Sequence, residues 1–123
     1  MPRTVAIIGA SADRSKFSNK AVRAFVRQGY TVYPVHPKEA EIEGLTAYKS
    51  VVDIPGPVEM ASLYLPPAVG MRVVEDVARK GIPEVWLNPG AESPELVEKV
   101  RSLGLKPIVA CSIVGIGESP SSY

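Results

Sequence analysis

The chain has 123 residues, of which 46% are hydrophobic and 22% charged, and its formal net charge at pH 7 is +1. This composition is typical of a globular domain, and the small charge excludes binding to nucleic acid or to an anionic membrane over a broad basic surface. A single cysteine, Cys111, excludes an internal disulfide, and no apolar run approaches the length of a membrane span. We therefore expect a cytoplasmic protein with one domain over residues 1–123.

The first apolar run, residues 5–8, predicts a strand that is buried on both faces and that ends at Gly9. After a polar loop, apolar residues recur at helical spacing over residues 21–29. We expect Ser18 or Asn19 to cap this helix, because a side-chain oxygen there can accept from the free N–H groups. An exposed helix start beside a glycine favours an anion, so this junction is a candidate phosphate site.

The rest of the chain alternates between short apolar runs and helical patterns. Further strands are predicted at residues 30–35, 58–65, 82–87 and 105–111. Residues 36–57 predict a poorly structured crossover with a short extended piece at 44–48, and residues 112–123 predict an irregular tail. This alternation predicts an α/β fold with a doubly wound parallel sheet of about five strands, and right-handed crossovers favour the Rossmann-like order 3-2-1-4-5.

In such a sheet the ligand lies outside the carboxyl ends of the strands, beside the first strand. The loops expected to meet there are residues 9–18, 36–38, 65–67 and 88–91. The first loop lacks the G-x-G-x-x-G pattern of dinucleotide sites, and residues 35–38 at the end of the second strand contain no carboxylate for the ribose hydroxyls. Lys38 follows it instead, which favours a ligand with a phosphate on its ribose, meaning coenzyme A or NADP. The alternative is that Lys38 is only solvated.

Several short motifs occur in a distinctive order between residues 4 and 111. They are Gly9-Ala10-Ser11, Lys16-Phe17-Ser18-Asn19, residues 29–38, Ile42-Glu43-Gly44, residues 48–51, Asp53-Ile54-Pro55 and residues 86–90. Together they resemble the small stand-alone CoA-binding domain family, which is similar in fold to the nucleotide-binding part of the succinyl-CoA synthetase alpha subunit.

This resemblance implies binding of coenzyme A or an acyl-CoA at the carboxyl edge of the sheet. The site residues that it implies are Gly9, Ala10, Ser11, Lys16, Phe17, Ser18, Val35, His36, Pro37, Lys38, Leu65, Pro66 and Asn88. Three of them depart from the family's usual pattern. His36 stands where asparagine is more frequent, Lys16 where arginine is common, and Asn88 where glutamine is common. Lysine keeps the charge of arginine but lacks its two-pronged donor.

The sequence contains no recognisable catalytic set. His36 is the only histidine, and its place before a proline favours packing or contact with adenine over proton transfer. One histidine and one cysteine do not make a metal site. We expect Cys111 to be a buried small side chain, the alternative being a mixed disulfide with the coenzyme thiol.

We therefore expect a protein that binds coenzyme A without catalysis of its own, and that binds neither nucleic acid nor membrane. A homodimer or a protein partner stays open. Two other functions are kept as alternatives. One is an NADP-binding reductase-like domain, and the other is a regulatory protein-interaction module with a vestigial nucleotide site.

Overall fold

The computed structural model describes residues 3–123 and contains seven strands and four α-helices in that range. The strands are β1 (Thr4–Ile8), β2 (Thr31–Val35), β3 (Glu41–Ile42), β4 (Leu45–Thr46), β5 (Met60–Leu63), β6 (Glu84–Leu87) and β7 (Lys106–Val109). The helices are α1 (Phe17–Arg27), α2 (Pro67–Lys80), α3 (Pro94–Ser102) and α4 (Ser112–Gly115), and short 3-10 helices lie at Val51–Asp53 and Pro120–Ser122. None of the helices over residues 3–123 has the length and apolar character needed to cross a membrane.

Five of the strands form one parallel sheet in the order β2-β1-β5-β6-β7, and β3 and β4 form a separate antiparallel hairpin. Tyr48 makes an isolated parallel bridge with Val35 at the outer side of β2. The five strands of the parallel sheet are the five predicted from the sequence, and the Rossmann-like fold is confirmed. Counted along the chain their order is 2-1-3-4-5, because β5 lies directly beside β1, where the predicted order 3-2-1-4-5 has the fourth strand.

The strand side chains alternate between two apolar layers because successive side chains point to opposite faces of a sheet. In β1, Ala6 and Ile8 pack in the layer formed with α2 and α3, which contains Val74 and Leu96. Val5 and Ile7 pack in the opposite layer with α1. Both faces of the central strands are thus covered, as their apolar runs predict.

The carboxyl-terminal segment differs from the sequence prediction. Residues 112–123 were expected to be irregular, which is wrong: they form α4 and a 3-10 helix that pack beside α1. Ile113 is buried in the α1 layer, and the Tyr123 hydroxyl donates to Glu118 Oε1 at 2.8 Å. The guanidinium of Arg23 lies 5.5 Å from the centre of the Tyr123 ring. These contacts are tertiary, so the local Gly and Ser content gave no sign of them.

The strands predicted at residues 58–65 and 105–111 are shorter than expected, at Met60–Leu63 and Lys106–Val109. Residues 64–65 and 110–111, at the carboxyl ends of the predicted strands, belong instead to the loops at that edge of the sheet. At this edge Gly9 has φ +87°, and a Cβ atom there would lie 2.5 Å from the Tyr64 carbonyl oxygen and 2.9 Å from Leu65 Cδ2. Gly9 therefore permits the ends of β1 and β5 to approach closely.

We predict that Gly9→Ala lowers the free energy of unfolding by more than about 2 kcal/mol, because it combines a left-handed backbone with an atomic overlap. Gly29→Ala is the matched control. Gly29 has φ +85° but open space around its Cβ position, so its loss is expected to be about 1 kcal/mol. Urea denaturation of both variants measures the difference. Equal losses would show that the contact between the strand ends has no energetic weight.

Candidate functional site

Three adjoining clefts form a groove along the carboxyl edge of the sheet. The first cleft, of about 260 Å³, lies beside the end of β2 and the flank of α2. The second, of about 400 Å³, lies between the starts of α1 and α2. The third, of about 120 Å³, lies towards β7. Leu65 lines both the first and the second cleft, and Phe17, Tyr64 and Pro89 line both the second and the third.

Most of the site residues expected from the sequence line this groove. Gly9, Val35, Pro37 and Leu65 line the first cleft, Lys16, Phe17, Ser18, Leu65 and Pro66 line the second, and Phe17 and Asn88 line the third. Ala10, Ser11, His36 and Lys38 line none of the three. The structure adds Lys49 and Asp76 to the first cleft.

The Gly9-Ala10-Ser11 turn shapes the loop through bonds that are already made. The N–H groups of Gly9 and Ala10 both donate to the Val35 carbonyl oxygen, at 3.1 and 3.2 Å. The Ser11 hydroxyl accepts from the Asp13 N–H at 3.0 Å. In the same loop the Asp13 carboxylate accepts from the Ser15 N–H, also at 3.0 Å. The turn therefore joins β1 to β2 and leads the chain towards α1.

The predicted cap of α1 is wrong. The helix begins at Phe17 with Lys16 at the N-cap position, where its side chain makes no capping bond, and Ser18 and Asn19 lie in the first turn. Hydrogen bonding of the helix begins with Asn19 and Lys20, which both donate to the Lys16 carbonyl oxygen. The N–H groups of Phe17 and Ser18 lie ahead of these bonds, at the second cleft.

The start of α2 also lacks a capping side chain. Its N-cap is Pro66, which makes no side-chain bond, and neither α1 nor α2 has an acidic residue in its first turn. The start of α3 is different, because Ser93 Oγ accepts from the Leu96 N–H at 3.1 Å and Glu95 lies in the first turn. The two helix starts at the second cleft are therefore the ones that favour an anion.

Asn19 has a positioning role that the sequence did not reveal. Its side chain is buried, and Nδ2 donates to the Ser11 carbonyl at 2.8 Å and to Glu43 Oε2 at 3.1 Å. Its Oδ1 accepts from Arg23 Nε at 2.8 Å. Asn19 thus ties the loop after β1 to α1 and to the β3–β4 hairpin. The asparagine with an arginine four residues later was the available signal, since such residues are neighbours on a helix.

His36 fixes the turn that leaves β2. Its Nδ1 accepts from the N–H groups of Lys38 and Glu39, at 3.0 and 2.9 Å. An asparagine oxygen can accept in the same way in such turns, which accounts for the histidine at a position where the resemblance leads one to expect asparagine. Because Nδ1 is occupied in this turn, the imidazole acts there as a structural acceptor.

Asn88 lies at the junction of β5, β6 and α4 and is buried. Its Nδ2 donates to Ser62 Oγ and to the Leu63 carbonyl, both at 2.8 Å, and its Oδ1 accepts from the Ser112 N–H at 2.8 Å. Both amide hydrogens are thus used within the fold.

Cys111, expected to be buried, is partly exposed and lines the third cleft.

Tyr64 lines both the second and the third cleft. Its hydroxyl lies 3.3 Å from Ser112 Oγ. Burial is the main cause that raises the pKa of Tyr64 to about 12. The phenol therefore stays neutral in the physiological range.

A comparison with known families assigns residues 3–116 to a CoA binding domain. The chain belongs to the CoA-binding domain family. Among the relatives of this CoA-binding domain, the alpha subunit of an ADP-forming acetate–CoA ligase (isoform II) of Pyrococcus furiosus is 33% identical over 94% of the chain. The match covers 27% of that subunit, so the chain spans about a quarter of its length.

Solved structures place the same domain both alone and within larger enzymes. A hypothetical protein from Pyrococcus horikoshii OT3 has a TM-score of 0.86 and 33% identity, over 92% of this chain and 80% of that one. The dinucleotide-forming acetyl-coenzyme A synthetase 1 of Ca. Korarchaeum cryptofilum, in complex with phosphate and ADP, has a TM-score of 0.78 and 28% identity. That match covers 89% of this chain and 26% of the synthetase.

We predict that Tyr64 lowers the stability of this CoA-binding domain in strong alkali. Its pKa is higher in the folded state than the ordinary value of 10.0, so the unfolded chain releases the proton first. The stabilising contribution is present below about pH 10 and is lost as the pH rises towards about 12. Denaturation at a series of alkaline pH values should show a shallower loss for Tyr64→Phe than for the wild type. Parallel losses in the two proteins would contradict the assignment.

Proposed function

We propose that this domain binds coenzyme A or an acyl-CoA in the groove and performs no chemistry of its own. The observation that carries the proposal is the second cleft, which is lined by two uncapped helix starts without acidic residues. Such starts attract a diphosphate, because free N–H groups and the helix dipole both favour an anion. In α1 these groups are those of Phe17 and Ser18, and in α2 the group is that of Ala68, since Pro67 has no N–H. Lys16 adds a positive side chain at the same cleft.

The neighbouring clefts suit the other parts of the cofactor. The first cleft has apolar walls, including Val35 and Leu65, which suit a flat base. The third cleft is smaller and lies on the opposite side of the diphosphate position, which suits the arm that carries the thiol. The cofactor would thus cross the strand ends from β2 towards β7, which lie four spacings or about 19 Å apart.

Two lysines are available for the phosphate on the ribose. Lys49 lines the first cleft, and Lys38 is exposed on the turn that His36 fixes, directly after Pro37 of the same cleft. A cation at this end favours coenzyme A over cofactors without a ribose phosphate. The structure adds Lys49 to the Lys38 that the sequence singles out.

The polar groups along the groove support a binding role. Asn88 uses both amide hydrogens within the fold, and Tyr64 stays neutral. His36 lies outside the three clefts and uses Nδ1 to hold a turn. The ligase relative is an alpha subunit of which this chain matches 27%. We therefore propose that any acyl transfer needs groups outside the matched segment, from a partner or from another domain.

Calorimetric titration with coenzyme A, dephospho-coenzyme A and NADP tests the proposal. Coenzyme A is expected to bind most tightly. Lys49→Ala is expected to weaken its binding about tenfold, with little effect on dephospho-coenzyme A, because only the ribose phosphate loses a partner.

Lys38→Ala, measured in the same way, shows which lysine carries the phosphate contact. Lys106→Ala is the matched control, since Lys106 lies at the start of β7, at the opposite edge of the sheet. No binding of coenzyme A to the wild type would refute the proposed function. Equal affinity for coenzyme A and its dephospho form would refute the role of a lysine at the ribose phosphate.

A further inference from the structure

We infer that Asp76 makes the first cleft selective for a 6-aminopurine by accepting a hydrogen bond from the exocyclic amino group. This inference rests on the proposed function, because it takes the adenosine end of the cofactor to lie in the first cleft. It goes further by naming the group that would read the base.

The position of Asp76 follows from the geometry of α2. Val69, Val73 and Asp76 all line the first cleft and lie four and then three residues apart, so they share one face of the helix. The helix starts at Pro67, beside the second cleft, and Asp76 lies nine residues further, a rise of about 13 Å. A nucleotide with its phosphates at the helix start would therefore direct its base along this face towards Asp76.

Asp76 is the negatively charged side chain among those that line the first cleft. The other polar side chains there, Lys49 and Ser50, differ from it in the hydrogen bonds that they can make. Ser50 Oγ accepts from the Val52 N–H at 3.3 Å, and Lys49 can only donate. Asp76 Oδ1 lies 3.0 Å from Arg79 Nη2, which leaves its second oxygen for a ligand. The Asp76 side chain is 37% exposed, so the carboxylate meets the cleft at its rim.

The pair with Arg79 does not by itself explain this placement. A partly exposed ion pair between residues three apart on a helix contributes little to stability. Such a pair needs only the outer surface of the helix, whereas Asp76 continues the apolar face that Val69 and Val73 turn towards the cleft. A carboxylate at this point is explained if the cleft holds a donor.

The chemistry of the purine edge gives the direction of the selectivity. Adenine carries an amino donor at position 6, whereas guanine and hypoxanthine carry a carbonyl oxygen there. An ionised carboxylate only accepts hydrogen bonds, so it attracts the first group and repels the second. The cleft is therefore selective for adenine over 6-oxopurines.

The test compares coenzyme A with its deaminated analogue, in which hypoxanthine replaces adenine. Calorimetry on the wild type is expected to give a preference of about tenfold for coenzyme A. In Asp76→Asn this preference is expected to fall to about twofold or less, because the amide can donate to the hypoxanthine oxygen as well as accept from the amino group. The thermal unfolding midpoint of each variant shows that the fold is retained.

Glu75→Gln is the matched control. It removes the same charge from the neighbouring residue of α2, whose side chain pairs with Lys99 and does not line the first cleft. This variant should keep the wild-type preference. Equal binding of the two compounds by the wild type, or an unchanged preference in Asp76→Asn, would overturn the role of Asp76 while leaving coenzyme A binding intact. Failure of the wild type to bind coenzyme A would instead refute the proposed function and this inference with it.

Discussion

The close approach of two strand ends at Gly9 determines where the groove lies. A Cβ atom at Gly9 would come within 2.5 Å of the Tyr64 carbonyl, so the loops after β1 and β5 leave the sheet from almost the same point. One loop leads to the start of α1 and the other leads to the start of α2. Because these helices cover opposite faces of the sheet, the two loops must diverge, and the second cleft lies between them.

The capping of the helices follows the same arrangement. A capping side chain stabilises a helix by about 0.5–2 kcal/mol, and α3 has one at Ser93. The starts of α1 and α2 lack one, and both line the second cleft. Under the proposed function, a bound diphosphate takes the place of these caps. The loop that presents α1 is held in place by Asn19 and so does not depend on the ligand for its shape.

The edge of the sheet at which the groove lies was predictable from the sequence, because parallel strands all end at the same edge. Gly9, Lys16 and Leu65 line the groove for that reason. Asn19 was misassigned as a cap, since its buried partners come from elsewhere in the chain. Lys49 and Asp76 were missed because one follows an irregular crossover and the other lies in the middle of a helix. Neither position is marked by a local pattern, and only packing brings both to the first cleft.

Hydrogen–deuterium exchange with and without coenzyme A tests most directly whether the cofactor binds at the two uncapped helix starts. We expect slower exchange of the N–H groups of Phe17, Ser18 and Ala68 in the presence of the cofactor, since these lie where the diphosphate would bind. The N–H of Leu96 at the capped start of α3 should be unaffected. Binding of coenzyme A with protection confined to other parts of the chain would contradict a diphosphate site at these helix starts.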